Sequence, residues 1–164
     1  ASNDVMTPIG PKARNLNKNY NYDDGSKNQL LKWMDLNLIN NYPTNIISTA
    51  NWEDEGQDFN LRARAYLDIN CGHCHASSGA ANSTGLYLNY AENRPKHLGV
   101  YKTPVAAGRG SGNLKYSIVP KNPEESILLL RMLSTDPGIM MPEAGRSLVH
   151  KEAVFLIEEW INSM

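Results

Sequence analysis

The residues of this chain with the most reactive side chains form one short cluster. Its only two cysteines, Cys71 and Cys74, are separated by Gly72 and His73, and His75 follows directly. Three kinds of chemistry use such a group: thiol–disulfide exchange, metal binding by thiolate and imidazole, and covalent attachment of a cofactor through both sulfurs. A stabilising disulfide is disfavoured, because closing so short a loop removes little entropy from the unfolded chain.

The spacing favours covalent attachment of haem. Cys-x-x-Cys-His is the attachment pattern of c-type haem, since two thiols separated by two residues can each form a thioether with one vinyl group of a porphyrin. His75 then lies under the ring, where its Nε2 can bind iron. We expect its Nδ1–H to donate to a backbone carbonyl, either in the loop 79–84 or at Pro95. The pattern therefore predicts one covalent haem held by Cys71, Cys74 and His75.

Two other interpretations fit the surrounding sequence less well. A thioredoxin-like dithiol stands at the start of a helix in a βαβ unit, whereas here a helical pattern ends at the first cysteine. A structural zinc ion needs four ligands, and two cysteines with two histidines inside five residues are too crowded to close a tetrahedron easily.

Capping residues and apolar periodicity predict the elements that position this cluster. Ser26 resembles an N-cap with Gln29 as its capping-box partner, and Asn122 precedes a Pro at the first helical position. Pro43 limits the first of the helices. The predicted helices cover residues 26–42, 58–70, 122–134 and 150–162.

Two of these helices carry clear apolar faces. Ala63, Leu67 and Cys71 recur at every fourth position, so the second helix delivers the first cysteine at its C-terminal end. The last helix presents one apolar face, made of Val154, Ile157, Trp160 and Ile161.

Between these helices, residues 76–120 are rich in Gly, Ser and Asn. Brief strands are predicted at 85–88 and 116–119. So long a segment without regular elements is unusual in a compact domain, and wrapping around a cofactor would explain it.

The cluster and its surroundings resemble the class I c-type cytochromes. The resemblance rests on the motif at 71–75 closing a helix, the Met141-Pro142 pair after a turn, and the amphipathic helix at the end. The stretch from Asn122 to Pro142 is similar to haem domains appended to larger bacterial exported oxidoreductases and multihaem proteins. The resemblance implies an all-α, class I cytochrome c fold with an N-terminal extension that contains an extra helix, and with long loops wrapping the haem. It divides the chain into an extension, 1–57, packing on a haem domain, 58–164.

The resemblance also implies a methionine as the sixth iron ligand. The ligand in such cytochromes is usually the methionine directly before proline, which is Met141, and Met140 is the alternative. A thioether ligand raises the reduction potential relative to two histidines. His97 and His150 are rival ligands, although each is more typical of a surface or capping position.

The Gly-rich segment offers side chains for the haem propionates. Charge-assisted hydrogen bonds suit an arginine in this role, and the alternative is a surface loop without contact to the cofactor. The candidates are Arg109, Asn113, Lys115 and Tyr116.

Composition limits the partners. A net charge of −1 gives no reason to expect binding to nucleic acid or to an anionic membrane. No apolar run approaches the roughly 20 residues that span a bilayer. The polar start, Ala1 to Asp4, lacks the features of a signal peptide. Because c-type haem attachment implies export, we expect a mature form or a fragment of a periplasmic or otherwise exported bacterial protein.

These observations together predict an electron carrier and not an enzyme. The expected partner is a redox protein or a tethered redox domain, and the oligomeric state stays open. The first alternative is a haem enzyme or ligand sensor with a labile sixth coordination site. The second is an interaction module that uses residues 1–57 for recognition.

Overall fold

The computed structural model describes residues 12–43, 45–143 and 145–164. The predicted extension begins at residue 1, so its first eleven residues, together with Thr44 and Ala144, lie outside the described part. The elements follow in this order: α1 Ala13–Leu16, β1 Asn19–Tyr22, β2 Gly25–Asn28, α2 Gln29–Asp35, α3 Phe59–Asn70, α4 Pro95–Leu98, α5 Ile127–Leu133 and α6 Lys151–Asn162. Short 3-10 helices lie at Asn82–Thr84, Gly108–Ser111 and Pro123–Glu125.

The prediction of an all-α, class I cytochrome c fold is wrong, because the structure is mixed. β1 and β2 form a two-stranded antiparallel sheet in which Tyr20 faces Lys27 and Tyr22 faces Gly25. Tyrosines at alternate positions put both rings on one face, with ring centroids 5.0 Å apart. That alternation before the turn residues is a strand signal, and it could have been recognised.

Because of the hairpin, the first predicted helix begins later in the chain than expected. Ser26 lies in β2, and the N-cap of α2 is Asn28, whose Oδ1 accepts from the Leu30 N–H at 3.0 Å and the Leu31 N–H at 3.3 Å. The helix ends at Asp35, well before Pro43. The Ser26–Gln29 capping box is therefore a wrong prediction.

The predictions of helices at 58–70 and 150–162 are confirmed by α3 and α6. Asp58 caps α3, since its Oδ1 accepts from the Leu61 N–H at 2.9 Å. α3 contacts α6, as expected from their apolar faces. These two helices and α5 supply most of the buried core, which contains Ala63, Tyr66, Leu67, Leu88, Ile118, Leu128, Leu129, Met132, Ala153, Val154, Leu156, Ile157, Trp160 and Ile161.

The Gly-rich segment packs on this core through isolated residues. Leu88 and Ile118 are almost completely buried. The expected strands at 85–88 and 116–119 do not form, and only single bridges join Val100 to Ile118 and Tyr116 to Ser126. The third predicted helix is split at Ser126, because its hydroxyl accepts from the Val119 N–H and donates to the Asn122 carbonyl.

The described residues before α3 contact the rest of the chain through Trp52. Trp52 packs edge-on to Tyr66, with ring centroids 5.6 Å apart, and Arg62 Nε donates to the Trp52 carbonyl at 2.8 Å. Among the described residues, no helix combines the length and the apolar character needed to cross a bilayer.

Candidate functional site

The end of α3 presents the cysteine cluster in a tight turn. The Cys71 N–H donates to the Leu67 carbonyl at 2.9 Å, and the Cys71 carbonyl accepts from the Cys74 N–H at 3.1 Å and the His75 N–H at 2.8 Å. This winding keeps the three side chains of the motif close together. Both thiols are free and partly buried.

Two glycines leave the turn no room for a side chain. A Cβ on Gly72 would lie 2.8 Å from the Asp68 carbonyl oxygen, and a Cβ on Gly79 would lie 2.2 Å from the Cys74 carbonyl oxygen. Both obstacles are backbone atoms, which cannot rotate aside. The motif is therefore enclosed by its own main chain.

A buried carboxylate anchors the helix immediately before the motif. The Asp68 side chain has no solvent exposure. Its oxygens accept from Lys12 Nζ at 2.7 Å, from Arg14 Nη2 at 2.8 Å and Nε at 3.0 Å, and from the Tyr90 N–H at 2.9 Å. Burial raises the pKa of Asp68, but these donors outweigh it and hold that pKa below its usual value.

A buried arginine fixes the same helix one turn earlier. Arg64 Nη2 donates to three backbone carbonyls in the Gly-rich segment: Asn89 at 2.9 Å, Tyr90 at 3.2 Å and Glu92 at 2.5 Å. The helix that carries the motif is thus joined to the extension on one side and to the Gly-rich segment on the other.

The Cys71 thiol is not prepared for redox exchange. Burial, and then the proximity of Cys74, raise the pKa of Cys71 to about 12. A redox-active Cys-x-x-Cys requires the opposite shift. Cys71 also lies at the C-terminal end of α3, where the helix dipole disfavours a thiolate.

His75 has a partly buried ring. Burial lowers the pKa of His75, the carbonyl of Leu86 opposes this, and the charge of Arg131 lowers it further. Nδ1 is buried without a hydrogen-bond partner among the described residues. The carbonyl that influences the ring therefore belongs to Leu86, just beyond the 79–84 loop where we expected it, and it makes no hydrogen bond with Nδ1.

The predicted methionine ligand lies on the same cavity as the first cysteine. This cavity is small, with a volume of about 30 Å³. Its walls come from the end of α3, from α5, from the segment after Met140 and from the start of α6. The lining residues are Tyr66, Asn70, Cys71, Met132, Met141, Pro142, Arg146, His150 and Val154.

The two adjacent methionines occupy different environments. Met140 is buried and does not line the cavity, whereas Met141 is partly exposed and does. The Met141 N–H donates to the Arg131 carbonyl at 2.9 Å, and the Arg131 Nε donates to the Ile139 carbonyl at 2.8 Å.

The rival histidines also differ. His97 is held beside Glu92, with Nδ1 3.5 Å from a carboxylate oxygen, and does not line the cavity. His150 lines the cavity, and its Nδ1 lies 3.3 Å from the Tyr66 hydroxyl.

The propionate candidates are not gathered around this cavity. Arg109 binds both carboxylate oxygens of Asp136, each at 2.8 Å, on an exposed turn near the methionines. Asn113 is exposed in a left-handed conformation, and Tyr116 packs edge-on to Tyr101. Lys115 is exposed, with Nζ 5.1 Å from the centre of the Tyr116 ring. None of the four predicted residues lines the cavity.

Sequence reasoning missed Arg64, Asp68 and Arg146. Arg64 and Asp68 are four residues apart, and each directly follows a member of the apolar stripe formed by Ala63 and Leu67. A charged pair beside that stripe was the available signal of burial. Arg146 follows a glycine in an irregular stretch and gave no comparable signal.

The described part of the chain contains no group of three or more His, Cys, Asp or Glu side chains placed to hold a metal ion. One imidazole and one thioether, as predicted here, do not form such a group. Comparisons with protein-family models, with curated proteins and with solved structures found no match.

Proposed function

We propose that this chain is a monohaem c-type electron carrier. Cys71 and Cys74 would hold one haem through thioethers, and His75 and Met141 would be the axial ligands. The haem supplies reversible one-electron iron chemistry when bound. The protein holds the ligands in place and excludes water from them.

The observation that carries the proposal is the shared cavity of Cys71 and Met141. The two residues are seventy positions apart in sequence, and yet the fold brings Cys71 and the Met141-Pro142 pair to the lining of one cavity, to which Cys74 and His75 do not contribute. Such convergence is what a cofactor bound between the two would require.

The protonation states of the donors suit this cofactor. Burial keeps the Cys71 thiol neutral and favours the neutral form of the His75 imidazole. Neutral imidazole is the form that binds a metal. The His75 Nδ1 is buried and lacks a partner among the described residues, and a hydrogen bond from it to a backbone carbonyl would fix the ring when the imidazole holds a metal.

An electron carrier is favoured over an enzyme because both axial positions would be filled by protein atoms. Iron in that state has no position for a substrate. The partner would be a redox protein or a tethered redox domain that docks transiently, and the attachment chemistry implies an exported, periplasmic location in a bacterium.

A second function, ligand binding at a labile sixth position, is favoured by one feature. His150 and the Tyr66 hydroxyl line the same cavity as Met141, so polar groups stand beside the proposed ligand. A haem enzyme or sensor would use such groups to stabilise an exogenous ligand.

The proposal is tested by producing the chain with a bacterial c-type haem attachment system and measuring its mass after denaturation. We expect the added mass of one haem, which the double variant Cys71→Ala/Cys74→Ala loses. The oxidised protein should show a methionine–ferric charge-transfer band, and the reduced protein should not bind carbon monoxide.

A matched pair of histidine variants completes the test. His75→Ala should abolish the six-coordinate spectrum, whereas His97→Ala, beside Glu92, should leave it intact. Covalent haem with rapid carbon monoxide binding in the wild type would favour the sensor or enzyme. Absence of covalent haem from a folded wild-type protein would refute both functions.

A further inference from the structure

The described residues between Met141 and α6 have no regular secondary structure, so other contacts must hold their shape. Hydrogen bonds to the end of α5 provide them. The Arg131 carbonyl accepts from the Met141 N–H at 2.9 Å, and it also accepts from Arg146 Nη2 at 3.0 Å. The Arg131 carbonyl thus accepts hydrogen bonds from both Met141 and Arg146.

Arg146 makes two further bonds that extend this connection. Nη2 donates to the Ser134 carbonyl at 2.5 Å, and Nη1 donates to the Leu148 carbonyl at 3.2 Å. The guanidinium therefore connects the end of α5 to the residues just before α6. These bonds close the segment that carries Met141 into a loop with both ends attached.

The partners of this guanidinium are all backbone carbonyls. Carbonyls at a helix C-terminus have no partner inside the helix, and a cation there is stabilised by the dipole. A planar guanidinium can reach several carbonyls at fixed angles, while a lysine ammonium is a single compact charge. Since Arg146 also lines the cavity, its contacts lie at the wall where Met141 would approach iron.

We propose that Arg146 is a positioning residue that holds Met141 at the sixth coordination position and keeps other ligands out. This inference rests on the proposed haem function. Without Arg146, the three carbonyls lose their shared donor, and the methionine segment can move away from the cavity while the attachment motif stays in place.

The test compares Arg146→Gln and Arg146→Lys with the wild-type holoprotein. Arg146→Gln should retain covalent haem but lose most of the methionine–ferric charge-transfer band. Its reduced form should bind carbon monoxide at least about tenfold faster, since charge-assisted hydrogen bonds of this kind each contribute enough to change an equilibrium about tenfold. Arg146→Lys should lie between the glutamine variant and the wild type.

Arg62→Gln is the matched control, because Arg62 also donates to a backbone carbonyl, that of Trp52, but on the outer side of α3. It should keep the band and stay inert to carbon monoxide. If Arg146→Gln does not fold, Arg146→Lys tests the positioning role instead. During urea titration of this variant, the methionine–ferric charge-transfer band should disappear before the tryptophan fluorescence changes.

If the wild type shows the methionine–ferric charge-transfer band and both Arg146 variants give the same spectra as the wild type, the positioning role is refuted. That result would leave the electron-carrier proposal standing. A wild-type protein without haem, or without the methionine band, would refute the proposed ligation itself.

Discussion

The attachment motif and the methionine segment face the same cavity but are held in different ways. The turn at 71–75 packs tightly against backbone atoms at Gly72, within the turn, and at Gly79, just after it, and it follows a helix held by Arg64 and Asp68. The methionine segment is irregular, partly exposed and held mainly by two arginines that donate to carbonyls. The difference teaches that buried backbone and charged contacts hold the cysteine turn rigidly, whereas the methionine segment depends on a few replaceable hydrogen bonds.

The largest expected effect tests whether α6 supports the rigid side. Trp160 is buried, and its Nε1 donates to Asn60 Oδ1 on α3 at 2.8 Å. Trp160→Ala should lower the free energy of unfolding by about 3–5 kcal/mol, as for other large core truncations. Urea denaturation measures it. Phe155→Ala on the exposed side of α6 should cost less than about 1 kcal/mol, and an equally small loss for Trp160 would contradict this packing.

The buried carboxylate comes next. Asp68→Asn should cost about 2–3 kcal/mol, because two partly exposed cations lose their buried partner. Asp136→Asn, which breaks an exposed ion pair with Arg109 on the methionine side, should cost about 1 kcal/mol or less. Equal losses at the two aspartates would remove the difference between the two regions.

The same carboxylate gives the expected pH dependence. Because the folded-state pKa of Asp68 is lowered, its contribution is complete above the unfolded-state value of about 4 and is lost as pH falls through the folded-state pKa. Wild-type stability should therefore fall more steeply below pH 4 than that of Asp68→Asn. If the free energy of unfolding fell equally with pH in the two proteins, the stability would not depend on the protonation of Asp68.

Two glycines provide a smaller and closely matched contrast. A Cβ on Gly79 meets the Cys74 backbone at 2.2 Å, while a Cβ on Gly138 meets the flexible end of Arg109 at 2.7 Å. Gly79→Ala should cost about 1–3 kcal/mol, and Gly138→Ala clearly less, since the guanidinium can move. Thermal denaturation compares them, and a larger loss at Gly138 would reverse the expected order of rigidity.

The smallest effect on stability should accompany the largest effect on the spectrum. Met141 is partly exposed, so Met141→Ala should cost less than about 1.5 kcal/mol but abolish the methionine–ferric band. Met140 is buried, so Met140→Ala should cost about 2 kcal/mol or more and keep the band. The reverse pattern would make Met140 the ligand.

Local sequence patterns were sufficient to predict the helices next to the candidate site. Ala63, Leu67 and Cys71 recur every four residues and predicted α3, and the apolar face around Ile157 predicted α6. Burial on one side of a helix imposes a helical period on the apolar residues of the sequence. The polar hairpin was missed, since its alternation involves tyrosines among asparagines and not a conventional apolar face. Ser126 divides a predicted helix because its hydroxyl bonds to Val119, a partner that local propensity does not reveal.

The sequence by itself determined the chemistry available to this protein: two thiols and an imidazole at the spacing of c-type attachment, and a Met-Pro pair further along. Only the tertiary structure decided that Cys71 and Met141 share a cavity, that Asp68 is buried between Lys12 and Arg14, and that Arg146 secures the methionine segment. The physical reason is that motif spacing is local and covalent, whereas most of these contacts join residues 12 to 70 positions apart. They form through packing and hydrogen bonds that a single sequence does not specify.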